Sequence, residues 1–423
     1  MRVGGEVIPP GDKSVTHRAL ILAGLSRSRV TLVGALTAVD ARATARALRQ
    51  MGVRVSPLGR GRRVHVEGRV WRTPARSLHC GNAGTTARLL MGAIAGQPVA
   101  ARITGDASLR RRPMRRVSVP LRAMGATVEE AVGDGLPLTI RGANLRDYRY
   151  HTPVASAQIK AALLFAGVSG GVSVSVSEPA RSRDHSERLL EYLGFDIRTH
   201  GTTVDLRGPP DSWPALPDVE LEIPGDLSSA AFLVGAATVA QEGELVVRGV
   251  GVNPTRTGFL DALARMGGNV ARVDERTACG EPVADLVVRP AGLTGVTVQP
   301  EEIPSLIDEI PMLAVLASRA DGVSRFCSVG ELRVKESDRL GLIAQNLRAI
   351  GVESEVEGDD LLVQGSDRPA RGRVETAGDH RLAMAFSVLG MTDRAQVHLT
   401  ETGSAAVSYP EFFPDLAHIA THV

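Results

Sequence analysis

Lysine is rare in this sequence, and each lysine lies in a polar cluster that is suited to chemistry. Of 49 basic residues only three are lysines: Lys13 in GDKS, Lys160 in SAQIK and Lys335, which precedes Glu336 in VKES. A compact ammonium and a planar guanidinium are not interchangeable, so a lysine kept in an arginine-rich chain indicates a position that needs the ammonium. Chance placement is the alternative for any one of them.

Further cations lie in short, separate clusters along the chain. These clusters are RRRPMRR from Arg110, SRDHSE from Ser182 and GDHR from Gly378, and Arg88 follows the uncharged polar cluster GNAGTT from Gly81. Single cations and pairs are typical of a site for a small substrate with several anionic groups, more than of a polymer site. Plain structural interpretations stay open: a solvated basic turn for RRRPMRR, a loop for GNAGTT and helix salt bridges for KESDR. The histidines His17, His185 and His380 also have a structural interpretation.

Six similar segments must position these clusters. Each begins with a polar cluster and continues as an Ala/Leu-rich run, and the segments start at Gly11, Gly81, Ser156, Gly225, Asp308 and Gly378. Alanine and leucine favour helix, and the Asp, Ser or Asn at the start fits an N-cap. Stretches such as RVHVEG and ELVVRGV predict strands between the helices. The pattern predicts six β-α-β-α-β-β units whose helix N-termini favour anions.

The six units divide into two groups of three. IPPGDKS near the start and IPGDLSS from Ile223 are close copies, which places the boundaries near residues 12 and 225. We predict a first domain of residues 1–12 and 225–423, formed by both ends of the chain, and a second domain of residues 13–224. Both are mixed α/β.

Composition excludes several classes of protein. The chain has 423 residues, 43% of them hydrophobic, and a net charge of +2. This balance argues against a dedicated nucleic-acid or membrane-surface protein, and no apolar run is long enough for a membrane span. Three scattered cysteines support neither a disulfide framework nor a zinc site. We therefore expect a cytoplasmic protein with no metal.

The ordered motifs resemble the EPSP (5-enolpyruvylshikimate-3-phosphate) synthase family across essentially the whole chain. The motifs are GDKSVTHRAL, GNAGTTARLL, ITGDASLRRRPMRRV, SAQIKAALL, SRDHSE, NPTR, LIDEIP, RVKESDRL and GDHRLAMAF. The resemblance implies an inverse α/β barrel of two domains, with helix N-termini facing a cleft between them that closes on substrate. It implies transfer of the carboxyvinyl group of phosphoenolpyruvate to the 5-hydroxyl of shikimate 3-phosphate, with release of phosphate. It implies small-molecule substrates, no cofactor, no nucleic-acid or membrane partner, and a monomer.

The resemblance also implies residue roles. Asp308 should accept a proton from the 5-hydroxyl, and Glu336 should protonate the methylene carbon. The implied catalytic residues are Lys13, Asp308, Lys335 and Glu336. The implied ligands of shikimate 3-phosphate are Lys13, Ser14, Arg18, Ser156, Ala157, Gln158, Arg183, Asp308 and Lys335. The implied ligands of phosphoenolpyruvate are Lys13, Asn82, Gly84, Thr85, Arg112, Gln158, Arg339, His380 and Arg381.

The sequence departs from the family pattern at one position. Some members carry a lysine in the C-terminal loop where this chain has Val407, so one phosphoenolpyruvate contact is missing or supplied elsewhere. The SAQxK, RxHxE (Arg183–Glu187) and NxTR patterns resemble the branch called class II. That branch tends to tolerate the inhibitor glyphosate, so tolerance is a hypothesis here, although Gly84 would leave room in the pocket.

Two alternative functions remain. UDP-N-acetylglucosamine enolpyruvyl transferase shares the fold and chemistry, but it usually carries a cysteine in a loop near LRRRPM, and this chain has none between Cys80 and Cys279. A non-catalytic paralogue that binds anions or nucleic acid through RRRPMRR is the other alternative. Only 3% of residues are aromatic, which argues against stacking on bases.

Overall fold

The computed structural model describes residues 1–59, 61, 63–131, 133–208 and 219–421. The chain divides into two compact units. The N-unit comprises Gly11–Pro224 and Thr277–Glu281, and the C-unit comprises Met1–Pro10, Gly225–Arg276 and Pro282–Val423. Both ends of the chain therefore belong to the C-unit.

Several helices begin inside the polar clusters of the sequence, at Lys13, Gly84, Ala157 and His380. The helices are α1 Lys13–Leu25, α2 Val39–Gln50, α3 Gly84–Ala95, α4 Ala107–Arg111, α5 Arg115–Met124, α6 Ala157–Gly170, α7 His185–Tyr192, α8 Leu227–Thr238, α9 Gly258–Arg265, α10 Ile303–Leu306, α11 Ile310–Ala317, α12 Arg339–Ala349, α13 His380–Gly390 and α14 Phe412–Ile419, with 3₁₀ turns at Gly330–Val334 and Gly403–Val407. Asp12, Ser156, Asp226 and Asp379 each cap a helix with the side chain. The predicted N-caps at these positions are confirmed.

The strands are short and lie between the helices. They are β1 Arg2–Val3, β2 Glu6–Val7, β3 Arg29–Val33, β4 Arg54–Val55, β5 Val64–Glu67, β6 Leu78–His79, β7 Ala100–Thr104, β8 Thr127–Glu130, β9 Leu138–Arg141, β10 Tyr148–His151, β11 Val174–Ser177, β12 Ile197–His200, β13 Thr203–Leu206, β14 Val219–Glu222, β15 Glu242–Gly243, β16 Leu245–Gly251, β17 Asn269–Ala278, β18 Glu281–Arg289, β19 Thr297–Val298, β20 Val323–Phe326, β21 Ser354–Glu357, β22 Asp360–Gln364, β23 Arg371–Val374, β24 Gln396–Leu399 and β25 Ala420–Thr421. RVHVEG forms β5 and ELVVRGV forms β16, as the sequence predicts.

Three sheets of the N-unit have one strand order, first–second–fourth–third of each repeat. The sheets are β14-β3-β5-β4, β6-β7-β9-β8 and β10-β11-β13-β12. The first strand of the first repeat is β14, which pairs in parallel with β3 although it lies almost 190 residues later, with Val219 opposite Val30. The last strand of the unit thus completes the sheet of its first repeat.

The C-unit repeats the same order twice and then departs from it. Its four-stranded sheets are β2-β16-β18-β17 and β19-β20-β22-β21. In the described part of the sixth repeat, β23 pairs only with β24, and the chain then enters a 3₁₀ turn and α14. The predicted sixth β-α-β-α-β-β unit is therefore wrong in its last two strands, because Gly403–Ile419 lacks the alternating apolar residues of a hairpin. Instead β25 pairs with β1.

Each unit has its own apolar core beneath these helices. In α8, every residue from Leu227 to Thr238 is buried. A helix that is apolar on all sides is stable only when it is surrounded by protein, so only its ends reach polar surroundings. This placement explains why the polar residues of each repeat are concentrated at the helix N-termini. Among the described residues, the helices are too short or too polar to cross a bilayer.

The contact between α3 and α6 requires a glycine, and this gives a stability prediction. A Cβ built on Gly92 would lie 2.0 Å from the carbonyl oxygen of Ala162. Alanine favours helix over glycine by only ~1 kcal/mol, whereas overpacking against backbone costs ~1–3 kcal/mol or more. We expect Gly92→Ala to lower the free energy of unfolding by about 2 kcal/mol in urea denaturation.

Gly292 provides the matched control for this prediction. A Cβ there meets nothing within 4 Å, so Gly292→Ala should shift stability by less than ~0.5 kcal/mol. Equal stability of the two variants would contradict the close packing of α3 on α6.

Candidate active site

The start of α1 places the first predicted catalytic lysine. The Asp12 carboxylate accepts a hydrogen bond from the backbone N–H of Val15 at 2.8 Å and so fixes the first turn. Lys13 is the first residue of the helix, and its ammonium forms an ion pair with the buried carboxylate of Asp40 in α2. The Lys13 side chain is 29% exposed, so it reaches the surface of the unit while Asp40 holds its ammonium in place. The sequence analysis did not identify Asp40, whose partner is distant in sequence.

Arg18 lies one turn further along α1 and is buried. Its Nε donates to Ser186 Oγ at 2.7 Å, and its Nη1 donates to the carbonyl oxygen of Ser14 at 3.0 Å. Burial lowers the pKa of Arg18 to about 10, with Glu187 and Asp12 opposing the shift. The guanidinium therefore stays charged at neutral pH. These contacts hold Arg18 and Ser14 together with the start of α7.

A second set of side chains surrounds Gly84 at the start of α3. Arg112 Nη2 donates to Asn82 Oδ1 at 2.5 Å. A Cβ on Gly84 would lie 3.1 Å from Arg88 Nη1 and 3.5 Å from Arg112 Nη1. Two guanidinium groups therefore lie close to the helix N-terminus, an arrangement that favours an anion carrying more than one charge.

The same set extends to α6 through Gln158. Arg88 Nη1 donates to Gln158 Oε1 at 2.5 Å, and Gln158 Nε2 donates to Thr85 Oγ1 at 3.0 Å. Burial, with Arg116 and Arg112, lowers the pKa of Arg88 to about 9. A bound anion would compensate this repulsion among cations. Arg88 thus joins the predicted residues Thr85 and Gln158.

Ser156 and Ala157 begin α6 within the same unit. The Ser156 hydroxyl accepts a hydrogen bond from the N–H of Ile159 at 3.4 Å. Arg18 Nη2 lies 3.5 Å from the carbonyl oxygen of Ala157. Arg183 lies partly exposed in the loop that precedes α7. Most of the predicted N-unit residues therefore lie at or just before the N-termini of α1, α3, α6 and α7, whereas Arg18 lies in the second turn of α1 and Arg112 follows α4.

The predicted C-unit residues form a connected charged cluster around Arg339. Its Nη2 pairs with Glu336 Oε2 at 2.5 Å, its Nη1 lies 3.8 Å from Asp308 Oδ1, and its Nε donates to Asp379 Oδ2 at 2.7 Å. Burial alone would lower the pKa of Arg339, but Glu336 and Asp379 raise it above its ordinary value. Arg339 is thus a permanent buried cation shared by three carboxylates.

Lys335 and Arg381 approach Asp308 from other directions. Lys335 Nζ lies 4.0 Å from Asp308 Oδ1 and 2.8 Å from Glu331 Oε1. Arg381 Nη1 donates to the backbone carbonyl of Asp308 at 2.9 Å. Burial, with Arg381 and Arg339, lowers the pKa of His380 to about 3, so this ring is neutral at physiological pH. The cluster can hold an anion beside two carboxylates.

A buried triad supports Asp308 and was not assigned a role from the sequence. Arg256 Nη2 donates to Ser228 Oγ at 2.5 Å and lies 3.5 Å from Glu309 Oε1. Ser228 Oγ in turn donates to Glu309. Glu309 precedes α11 and follows Asp308, so the triad fixes the backbone at that carboxylate. The NPTR motif that ends in Arg256 was the available signal.

His17 gives a pH prediction for the N-unit. Its ring is buried, with Nδ1 2.8 Å from Thr44 Oγ1, and burial lowers its pKa to about 3. The unfolded chain binds this proton below pH ~6.5, whereas the folded chain does not, so stability falls with pH from ~6.5 towards 3. Between pH 7 and 5, urea denaturation should show a loss in the wild type that is about 2 kcal/mol larger than in His17→Asn.

The matched control is His200→Asn, because the imidazole of His200 is exposed. That variant should keep the full pH dependence of the wild type. Identical pH profiles for His17→Asn and the wild type would show that the His17 ring is not buried in its neutral form.

Comparison with known proteins identifies the family. The model of "EPSP synthase (3-phosphoshikimate 1-carboxyvinyltransferase)" matches residues 1–416. The chain belongs to the EPSP synthase family. It is 46% identical to a 3-phosphoshikimate 1-carboxyvinyltransferase of Gloeobacter violaceus, over 99% of this chain and 97% of the relative. It is also 46% identical to one from a Methylobacterium species, over 97% and 94% of the two chains.

Solved structures confirm the two-domain α/β fold of EPSP synthases. An EPSP synthase from Acinetobacter baumannii superposes with a TM-score of 0.88 at 36% identity, covering 99% of this chain and 95% of that one. The enolpyruvyl transferase NikO from Streptomyces tendae shares the fold, with a TM-score of 0.76 at 20% identity over 99% and 95% of the chains. The family predicted from the ordered motifs is therefore confirmed.

Proposed function

We propose that this chain is a 3-phosphoshikimate 1-carboxyvinyltransferase. It transfers the enolpyruvyl group of phosphoenolpyruvate to the 5-hydroxyl of shikimate 3-phosphate and releases phosphate, a step of the shikimate pathway. Membership of the EPSP synthase family over residues 1–416 supports the reaction. The structural observation that best supports this chemistry is that Asp308 and Glu336 share one buried cation, Arg339.

The substrates carry phosphate and carboxylate groups, and the proposed binding residues match them. Arg88, Arg112 and the start of α3 offer fixed N–H donors to the phosphate of phosphoenolpyruvate. Arg339 and Arg381 offer donors to its carboxylate. Ser156, Ala157 and Arg18 offer donors to shikimate 3-phosphate. Donors that are already held by protein contacts need little reorganisation when the anion binds or when phosphate leaves.

The reaction requires one proton to be added and later removed, and a second to be taken from the nucleophile. Protonation of C3 makes C2 of phosphoenolpyruvate electrophilic, and the 5-hydroxyl oxygen then bonds to C2 as its proton passes to a base. Loss of a C3 proton restores the double bond as the C2–O bond to phosphate breaks. In our proposal Glu336 exchanges the C3 proton, and Asp308, with Lys335 and Lys13, takes the hydroxyl proton.

The two carboxylates occupy different surroundings. Glu336 forms a 2.5 Å ion pair with Arg339, whereas Asp308 lies 3.8 Å from Arg339 and 4.0 Å from Lys335. A close cation favours the ionised form of a carboxylate, so in our proposal Glu336 serves as the acid once Arg339 turns from it to the carboxylate of bound phosphoenolpyruvate. Phosphate departs to fixed cations, so the residues here supply the required charge.

Phosphate release tests the proposed function directly. Phosphoenolpyruvate is incubated with the enzyme and shikimate 3-phosphate, and in parallel with UDP-N-acetylglucosamine. We expect stoichiometric phosphate only with shikimate 3-phosphate. Release with the nucleotide sugar alone would assign the other enolpyruvyl transfer. Release with neither acceptor, together with salt-dependent binding of an oligonucleotide, would favour the non-catalytic paralogue.

We also propose that the enzyme acts as a cytoplasmic monomer that does not bind nucleic acid. All three cysteines, Cys80, Cys279 and Cys327, are free, as is common in a reducing compartment. The net charge of +2 gives little attraction for a polyanion. Sedimentation at assay concentration should show one chain per particle, and a stable dimer would contradict the proposal.

A further inference from the structure

Lys160 is a buried cation that the proposed reaction does not use. It lies in the first turn of α6, and its side chain is 3% exposed. Its Nζ lies 2.7 Å from Glu178 Oε2 and 2.7 Å from Glu187 Oε1. The ammonium therefore joins three elements: α6, the residue that follows β11, and the first turn of α7.

Glu178 connects this ammonium to the cap of α6. Glu178 Oε1 accepts a hydrogen bond from the backbone N–H of Ser156 at 2.8 Å. Ser182 Oγ donates to the same carboxylate at 2.8 Å. Ser156 begins the helix whose first N–H groups are proposed to bind shikimate 3-phosphate. The orientation of Glu178, set by Lys160, thus sets the orientation of this helix end.

Glu187 connects the ammonium to Arg18. Its neighbour Ser186 accepts a hydrogen bond from Arg18 Nε at 2.7 Å, and Glu187 itself contributes to the field at Arg18. Glu187 Oε2 is buried and has no hydrogen-bond partner among the described residues. Lys160 thus lies behind two proposed contacts to the same substrate, the cap of α6 and Arg18.

A buried cluster of three charges such as this one contributes little to folding stability by itself. Desolvation of buried charges commonly cancels their attraction, and apolar side chains of similar volume are often at least as stable. The triad also retains a net negative charge directly behind a proposed anion site. Removing the ammonium would leave two buried carboxylates facing each other. Each therefore depends on Lys160 to stay in place.

We propose that Lys160 is a positioning residue for shikimate 3-phosphate, which holds Glu178 and Glu187 so that the start of α6 and Arg18 are fixed in their binding arrangement. This inference rests on the proposed function. It also gives a reason for the third lysine in an arginine-rich chain. One ammonium nitrogen lies 2.7 Å from both carboxylates, whereas a guanidinium would reach them through separate donors in a larger, planar group.

The test is steady-state kinetics of Lys160→Met, with each substrate varied separately. We expect the KM for shikimate 3-phosphate to rise about tenfold, and kcat and the KM for phosphoenolpyruvate to change less than about threefold. The double variant Lys160→Met/Glu187→Gln has the same net charge as the wild-type triad and no facing carboxylates. It should recover a KM within about threefold of wild type.

The pH dependence of the KM for shikimate 3-phosphate is a further test, because general destabilisation of the fold would not produce it. The charged groups that face Glu187 are Lys160 of α6, Glu178 on the far side of that ammonium, Arg18 of α1, and Asp184 and Arg188 on or beside its own helix. Burial raises the pKa of Glu187 even with Lys160 present. In Lys160→Met, the KM for shikimate 3-phosphate relative to wild type should therefore increase with pH as Glu187 ionises. The double variant should show no such increase.

Lys160→Arg keeps the charge and is the second variant if Lys160→Met does not fold. Its KM for shikimate 3-phosphate should rise at least about threefold with the KM for phosphoenolpyruvate unchanged. Glu191→Gln, at an exposed position of α7, is the matched control and should behave as wild type.

The inference is overturned if Lys160→Arg matches the wild type, or if the KM values of both substrates rise together. It is also overturned if the double variant is as impaired as Lys160→Met. Wild-type enzyme in the same assay separates these outcomes from failure of the proposed function, because in that case the wild type itself would release no phosphate with shikimate 3-phosphate.

Discussion

Replacing Lys13 with arginine should lower kcat at least about 100-fold while the protein remains folded. Lys13 begins α1, and its ammonium is held against the buried Asp40 carboxylate. An arginine there would pair with Asp40 through two N–H groups of a planar fork and would place its remaining donors differently. The substitution keeps the positive charge, so a large loss of kcat would show that the reaction depends on the position of the Lys13 ammonium.

The measurement is the rate of phosphate release at saturating concentrations of both substrates. Arg42→Lys is the matched control, because it makes the reverse exchange at an exposed position of α2, the helix that carries Asp40. It should retain wild-type kcat. If Lys13→Arg retains more than about a tenth of the wild-type kcat, Lys13 provides only charge and does not act at the reacting centre.

The second large effect is expected at Asp379. Its carboxylate accepts from Arg339 Nε at 2.7 Å, from Ser337 Oγ at 2.9 Å and from the backbone N–H of Arg381 at 3.0 Å. Burial would raise the pKa of Asp379, but Arg339 holds it below its ordinary value. Asp379→Asn should lower the free energy of unfolding by about 3 kcal/mol, because it removes the charge that balances a buried guanidinium.

The same variant should bind phosphoenolpyruvate more weakly, because Asp379 holds both Arg339 and the start of α13. Urea denaturation gives the stability change, and the KM for phosphoenolpyruvate gives the functional one. Asp393→Asn removes a carboxylate from an exposed pair with Arg394 and should cost less than ~0.5 kcal/mol. Similar losses in the two variants would show that Arg339 does not depend on Asp379.

Local chemistry explains which features could be predicted from the sequence. Helix caps depend on neighbours within three residues, so Asp12, Ser156 and Asp379 were identified from their motifs. Repetition of the polar cluster and the Ala/Leu run predicted the strand and helix order. The departure in the sixth repeat lies after β24, where the polar cluster and the apolar helix α13 have already been completed.

Long-range pairing explains what sequence reasoning missed. Asp40 pairs with Lys13, and Glu178 pairs with Lys160, across separations that no periodic pattern encodes. KESDR shows the limit of a local interpretation. A helical salt bridge was one alternative, yet Lys335 pairs backwards with Glu331, and the helix begins only at Arg339. Arg339 pairs with Glu336 and, far along the chain, with Asp379.

The pairing of β1 has a consequence for synthesis on the ribosome. Arg2 and Val3 pair with residues 242–243 on one side and 420–421 on the other. The N-unit is continuous from Gly11 to Pro224 apart from five later residues, so most of it emerges as one stretch. At ~5–20 residues per second, β25 is made roughly 20–80 s after β1, so one edge of β1 stays without its partner for that time. Although β1 precedes the N-unit in the sequence, it is therefore among the last strands to be paired on both edges.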